Sequence, residues 1–439
     1  MPSAKSSSAF ATSSPRSEPM GGTAATPSSY AEADRWLLGL ELFGMDFGTE
    51  RMERLLGEVG APQGSFRSVH VVGSNGKSST TRLVDAVLRA HGIRSGAYLS
   101  PHLSSWTERV LVAGEPVPEQ AFAASVAEVA KAAARVDAEE TFGPVTQFEA
   151  LTAAAFLALA SERVETAVVE AGLGGRLDAT NVIGAPVTIC TSVGLEHTQW
   201  LGETVAEIAA EKLDVVAPGS ALVVPSDLAP DAMGVAIAVT QERGARLVVA
   251  PASSPLAPAG TPSYLGHNLA LALAASHELL GAIDEAAVTG ALEAGALRIP
   301  GRFETVAQRP LTILDGAHNA DGMAALAAAL RGAQCPRPVV ACVAILDDKD
   351  RESMLRAISE LSDMLVVTGC SHPRSVPPGD LVEVAAGFGA QVREVAEPHS
   401  ALAAARELAG EEGTVVATGS LYLIADLGRP PGSRGGSTL

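Results

Sequence analysis

The sequence predicts an α/β protein: a doubly wound sheet in a large first unit, followed by a smaller α/β unit. Three observations lead there. From about residue 30 to 296, short β-branched runs alternate with Ala- and Glu-rich amphipathic segments. In LRIPGR, residues 297–302, the Pro300-Gly301 pair interrupts any regular element and reads as a hinge. A second alternation of strand and helix patterns then begins. A chain of 439 residues is long enough for two or three domains and a large core.

Taken in order, residues 1–29 are rich in Ser, Ala, Thr and Pro without an apolar segment. They read as a disordered extension and not as a secretory signal, and Met20 rivals Met1 as the start. A buried strand is expected at 68–72, then a helix over 82–91, where Leu83, Val84, Val87 and Leu88 keep helical spacing before Gly92 stops it. The Ala-rich stretch near 150–160 reads as a core helix, and strands follow at 167–169, 187–190 and 221–224. The first unit thus spans 30–296, and 297–427 forms a second domain. In the latter, strands are expected at 311–314, 339–345, 364–367 and 414–417, with helices over 323–330, 351–361 and 401–408. Residues 428–439, rich in Gly, Pro, Ser and Arg, read as a disordered tail.

A formal net charge of −19 argues against nucleic acid or an anionic membrane as partner, because such binding needs a basic field. A local basic pocket for an anionic substrate remains compatible with it. Cys190, Cys335, Cys342 and Cys370 form no C-x-x-C pair and read as reduced thiols, so no structural zinc is expected. No apolar run reaches the roughly 20 residues that span a bilayer.

The chemistry concentrates in loops after strands. In VVGSNGKSS, residues 71–79, a β-branched run ends in Gly73, Ser74, Asn75, Gly76, Lys77, Ser78 and Ser79. Glycines there let backbone N–H groups face phosphate oxygens, Lys77 adds a point charge, and Ser78 or Ser79 a metal-facing hydroxyl. Val71 stands where a full Walker A loop has glycine, so this is the short form, which also occurs in ordinary turns. VVEAGLGGRLDATN, 168–181, puts Glu170 at a strand end beside a glycine loop, where a magnesium ligand would sit or where an acid merely faces solvent. Glu196 and His197 follow a strand in the same way. In the helix expected over 203–216, Lys212 shares a face with Val205, Ile208 and Val216, so it either snorkels out of that face or points into a site. In TILDGAHN, 312–319, Asp315 ends a strand and His318 and Asn319 open a helix; a turn and a cap would explain the same residues. Arg302 follows the hinge as a phosphate contact or an ion-pair residue.

Together these residues resemble the Mur ligase superfamily, and within it the folylpolyglutamate synthase and dihydrofolate synthase family. The similarity runs in order from Tyr30-Ala31-Glu32-Ala33 through GSNGKSS, Ser100-Pro101-His102-Leu103, Glu108-Arg109-Val110, Phe148-Glu149, EAGLGGRLDATN, VGLEHTQWLG, PGRFE, LDGAHN and Asp348-Lys349-Asp350 to Thr418-Gly419-Ser420-Leu421-Tyr422. The resemblance implies a P-loop ATPase domain with a smaller Rossmann-like domain, a magnesium-dependent ligase that uses ATP, and a cytoplasmic monomer. It implies that Lys77 holds phosphates; that Ser100, Glu170 and His197 bind two magnesium ions, with a monovalent cation as a further candidate; and that Lys212, carbamylated, organises the second metal. Asn268, Arg302 and Asp315 match nucleotide contacts, and His318 matches a residue near the incoming L-glutamate. The implied reaction is attack of a folate or dihydropteroate carboxylate on ATP, then amide formation from the acyl phosphate. Three departures stand out: Ser74 and Ser78 in the loop where the family has GTNGKGS, a shortened Gly266-His267-Asn268, and Ala320 in place of proline. The rival readings are a Mur-type ligase with another carboxylate substrate, a P-loop ATPase without ligase chemistry, and a scaffold that has lost catalysis.

Overall fold

The computed structural model describes residues 26–41, 48–141 and 143–430. Of the expected disordered segments, 1–25, with Met20, and 431–439 lie outside the described residues. The remainder of both is tied down. Ser29 caps the helix Tyr30–Leu38 by accepting from the Glu32 N–H, Ser28 donates to the Glu32 carboxylate, and Arg429 pairs with Asp426 after the last helix, Leu421–Leu427.

Fourteen strands are described: β1 Arg67–Val72, β2 Ser95–Tyr98, β3 Val110–Val112, β4 Glu115–Pro116, β5 Thr166–Glu170, β6 Val187–Cys190, β7 Ala221–Pro225, β8 Arg246–Ala250, β9 Glu304–Gln308, β10 Leu311–Leu314, β11 Val339–Val343, β12 Met364–Val367, β13 Val392–Glu394 and β14 Thr414–Thr418. They form an eight-stranded sheet ordered β4-β3-β2-β5-β1-β6-β7-β8 and a six-stranded sheet ordered β13-β12-β11-β14-β10-β9. Strands β2, β5, β1, β6, β7 and β8 run parallel, as do β13, β12, β11, β14 and β10. Only β3, β4 and β9, at the edges, are antiparallel.

Both sheets are covered on two faces. In β5, Ala167 and Val169 pack with the helices Glu119–Asp137 and Gln147–Ser161, whereas Val168 between them packs with Lys77–Ala90 and Ser263–Leu280. In β11, Val339, Ala341 and Val343 face one cluster and Val340 and Cys342 the other. A strand buried on both faces must be apolar at successive positions, which is why these strands read as unbroken Val-rich runs. Each fully buried Val contributes about 2 kcal/mol of transfer free energy.

The expected strands at 187–190, 311–314 and 364–367 match β6, β10 and β12, whereas that at 339–345 stops at Val343. The expected helix over 82–91 begins five residues earlier, at Lys77, so the loop lysine is itself the first helical residue. The helix expected over 203–216 is shorter, Val205–Leu213, and is set by a Thr204/Glu207 capping box. The segment 297–302 carries neither helix nor strand, with Gly301 at φ 63°.

Candidate active site

In open α/β sheets ligands sit beyond the carboxyl ends of the strands. Here those ends, from both sheets, open into one cavity of about 930 Å³. The first sheet lines it with Ser74–Ser79 after β1, Ser100 after β2, Glu170 and Asp178 at and after β5, and His197 and Lys212 after β6. The second adds Asp315 and His318 after β10, Lys349 after β11, Arg374 after β12 and Ser420 after β14. Asn268 and Arg302 complete the set of expected site residues around the cavity; Gly73 alone lies beneath it.

The phosphate loop is held from below. Gly73 has φ 143°, and a Cβ there would collide with Thr191 Oγ1; at Gly76, φ 87°, a Cβ would come within 2.7 Å of Asn268 Oδ1. The Asn75 N–H donates to Ser192 Oγ at 2.9 Å, and Gly194 N–H to Ser74 Oγ at 3.0 Å. Thus Ser74 ties the loop to the segment after β6. The Lys77 ammonium donates to its own loop, at the Gly73 carbonyl (2.8 Å).

Glu170 is 1 % exposed, accepts from Ser78 Oγ at 2.9 Å and from the Ser100 N–H at 3.1 Å. Burial pushes its carboxyl up to about 6, against the opposing pull of Lys77. Ser79 is buried, so of the two hydroxyls it is Ser78 that faces the carboxylate. An all-oxygen donor set around one costly carboxylate fits a hard divalent cation that takes its remaining ligands from phosphate and water. Among the described residues no group of three or more His, Cys, Asp or Glu is arranged around a metal position.

Lys212 is 1 % exposed. Its ammonium donates to Glu196 at 2.9 Å and to the Gly73 carbonyl at 3.2 Å. Burial pulls the lysine down and Glu196 pulls it back; burial raises Glu196, but Lys212 and Lys77 outweigh that and hold it at about 2. The lysine therefore points inward and does not snorkel. As an ammonium it has no lone pair for a metal, so a metal role requires its carbamate. His197, at φ 46°, sits next to this pair, and burial lowers it, helped by Lys349.

Across the cavity, Asp315 accepts from the Phe303 N–H (2.8 Å), the Ala317 N–H (2.9 Å) and Tyr264 Oη (2.5 Å). Burial raises this carboxyl, opposed by Arg302, and burial together with Asp315 raises Tyr264 well above its usual value. His318 is held neutral, near 4, by burial, and its Nδ1 bonds the Gly316 carbonyl at 2.9 Å. That leaves Nε2 as an acceptor. Asn319 both caps the helix Ala320–Ala333 and donates from Nδ2 to Asn75 Oδ1 at 3.0 Å, joining the second sheet to the phosphate loop. Arg51, Tyr264 and Arg374 also line the cavity. Nothing local in the sequence marks them; Arg51 reaches the site through a buried pair with Glu149, 98 residues away.

The family model for the Mur ligase, glutamate ligase domain matches residues 301–421. Over 371 residues, 76% of each chain, the sequence is 34% identical to the dihydrofolate synthase/folylpolyglutamate synthase of Mycobacterium tuberculosis. The chain belongs to the folylpolyglutamate synthase and dihydrofolate synthase family. Members of this family are ATP-dependent acid–amino-acid ligases of the Mur ligase fold. Among solved structures, the folylpolyglutamate synthase of M. tuberculosis complexed with ADP superposes with a TM-score of 0.85 at 30% identity, covering 92% of this chain and 99% of that one. A bifunctional folylpolyglutamate synthase/dihydrofolate synthase with Mn, AMPPNP and L-glutamate bound gives 0.79 at 30% identity, covering 92% and 98%. No helix among the described residues is long and apolar enough to cross a membrane.

Proposed function

We propose that this protein joins L-glutamate to the carboxylate of a folate or of dihydropteroate, with ATP converted to ADP and phosphate by way of an acyl phosphate. The observation that carries this reading is the shared cavity: a phosphate loop from one sheet and a basic group, Lys349 and Arg374, from the other open into the same space. A P-loop ATPase without ligase chemistry has no use for the second half. The relatives' names supply the acceptor class, and the neighbour holding nucleotide, metal and glutamate together supplies the ternary arrangement.

In this reading residues 30–296 form the ATP domain and 297–427 the glutamate domain. Gly73 to Ser79 hold the phosphates, and Lys77 offsets the charge that gathers on the transferring phosphoryl oxygens. Ser100, Glu170 and His197, with carbamylated Lys212, hold two magnesium ions, which when bound supply further charge neutralisation at those oxygens. Asn268, Arg302 and Asp315 contact the nucleotide. His318 Nε2 accepts a hydrogen bond from the incoming glutamate's amino group and orients it for attack on the acyl phosphate, with release of phosphate. The cavity lies between two layers, so closing them excludes the water that would hydrolyse the acyl phosphate. One chain supplies every role, which favours action as a monomer, and ATP and reduced folates place the reaction in the cytoplasm.

The test is incorporation of labelled L-glutamate, dependent on ATP and magnesium, run in parallel with 7,8-dihydropteroate and tetrahydrofolate. Product from both makes the enzyme bifunctional, and product from one fixes the branch. ATP hydrolysis without product from either would overturn the folate reading in favour of another carboxylate acceptor.

A further inference from the structure

Arg109, in the cavity wall, has a guanidinium that is rigidly held on one side and unfinished on the other. It ends the 3₁₀ turn Trp106–Arg109, which is fixed by a Ser105/Glu108 capping box. The Glu108 carboxylate also accepts from the N–H groups of Leu103, Ser104 and Ser105 at 2.8–2.9 Å, and Trp106 Nε1 donates to Asp34 at 2.7 Å. On this base the guanidinium lies 5.2 Å over the Trp106 ring, and Nε donates to His102 Nδ1 at 2.9 Å.

Both terminal nitrogens of Arg109 remain buried without a hydrogen-bond partner among the described residues, although the side chain is only 1 % exposed. The Tyr98 phenol beside it hydrogen-bonds Thr152 Oγ1 at 3.0 Å and makes only a loose contact with the guanidinium. A buried cation with two idle donors is costly unless a ligand completes it. The surroundings specify that ligand. The Leu99 N–H donates to the Arg109 carbonyl at 2.8 Å, which sets Arg109 next to Ser100, the residue whose N–H holds Glu170. The cavity wall at this point is Pro101, Phe148 and Tyr422, apolar and aromatic. Two parallel N–H donors in an aromatic pocket match a planar carboxylate on a flat, apolar body better than a phosphate, for which the Lys77 loop is already built.

We propose that Arg109 is the anchor for the acceptor carboxylate that is to be phosphorylated, clamping it through both terminal nitrogens beside Glu170. This rests on the ligase reading above. It makes the acceptor's reacting end, and not its far end, the point of strongest recognition.

The test compares wild type, R109Q and R109K with 7,8-dihydropteroate and with its carboxamide, which is isosteric but uncharged. Wild type should bind the acid about a hundredfold tighter than the carboxamide, as for a desolvated bidentate charge pair. In R109Q the acceptor KM should rise by about the same factor, the acid and the carboxamide should bind alike, and the KM values for ATP and glutamate should stay within about twofold. R109K, which keeps the charge but not the fork, should fall between. Equal binding of acid and carboxamide by wild type would overturn the proposal without any variant having to fold. So would an R109Q enzyme with unchanged acceptor KM, or one impaired with tetrahydrofolate but normal with dihydropteroate, since Arg109 would then hold a carboxylate that does not react. A wild-type enzyme that uses no pteroate at all would instead be a failure of the ligase assignment.

Discussion

Glu170→Gln should abolish ligation while making the ligand-free protein less sensitive to alkaline pH. The carboxyl titrates at about 6 in the folded chain against an ordinary 4.5, because burial disfavours its charged form more than Lys77, Ser78 and Ser100 favour it. Between those two values the folded state binds more protons than the unfolded state, so stability falls as pH rises through the window from 4.5 to 6. At about 1.4 kcal/mol per unit, a shift of roughly 1.5 units removes about 2 kcal/mol by pH 8 relative to pH 4. Glutamine can accept from the Ser100 N–H through Oε1 and donate from Nε2 to Ser78 Oγ, so both contacts survive and any cost of the exchange does not depend on pH. The variant should therefore lose the pH-dependent part alone. Calorimetric unfolding of metal-free, nucleotide-free protein at pH 4.5 and 8 reads this directly, with a relative gain for the variant at pH 8 of roughly 4 °C for a unit of this size. Parallel behaviour of variant and wild type at the two pH values would refute the claim that Glu170 is held as a costly carboxylate awaiting a cation.

Three further perturbations separate the roles in the cavity. Lys77→Ala should lower glutamate incorporation by about a thousandfold, with an unfolding midpoint close to wild type, because the ammonium touches only its own loop carbonyls in the free protein. In metal-free protein with Lys212 unmodified, Lys212→Met should cost about 3 kcal/mol, since it leaves Glu196 largely buried without its cation, and Lys212→Met/Glu196→Gln should recover most of that; an additive double variant would rule out the direct pair. Asn319→Asp keeps a capping oxygen for the Gly322 N–H but removes the Nδ2 donor to Asn75, so stability should change by less than about 0.5 kcal/mol while turnover falls about tenfold; an unchanged turnover would show that this contact does not couple the halves.

The parallel strands were legible because burial on both faces forces uninterrupted apolar runs, and β6, β10 and β12 lie where the Val- and Ile-rich segments place them. Three other strands were not. β2, SGAY, is buried between β3 and β5, β9 at an edge is ETVAQ with most residues exposed, and β4 at another edge has two residues, so none carries a hydrophobic signature of its own; each is a strand because a neighbour supplies the ladder. The same contrast runs through the site. Lys77, Glu170 and Asp315 could be placed from local sequence because each stands at or just after the end of a strand. Lys212 could be seen to lie on an apolar face, but whether it left that face or entered the site depended on Glu196 and Gly73, the latter 139 residues away. Tyr264 has no local mark, since its meaning comes from Asp315 across the boundary between the sheets.

That boundary explains why neither half could perform the reaction alone. Asn75, in the phosphate loop, accepts from Asn319, and Tyr264, on a helix of the first sheet, donates to Asp315 of the second. The two contacts arise from the same pair of strand ends, β1 with the helix Ser263–Leu280 on one side and β10 on the other. A shift of the second sheet by one side-chain length breaks both, and it also withdraws His318, Lys349 and Arg374 from the cavity that Lys77 and Glu170 share. If the site residues act as proposed, the nucleotide and amino-acid contacts are coupled through the segments flanking Asp315, and breaking the Asn75–Asn319 and Tyr264–Asp315 contacts should weaken both together.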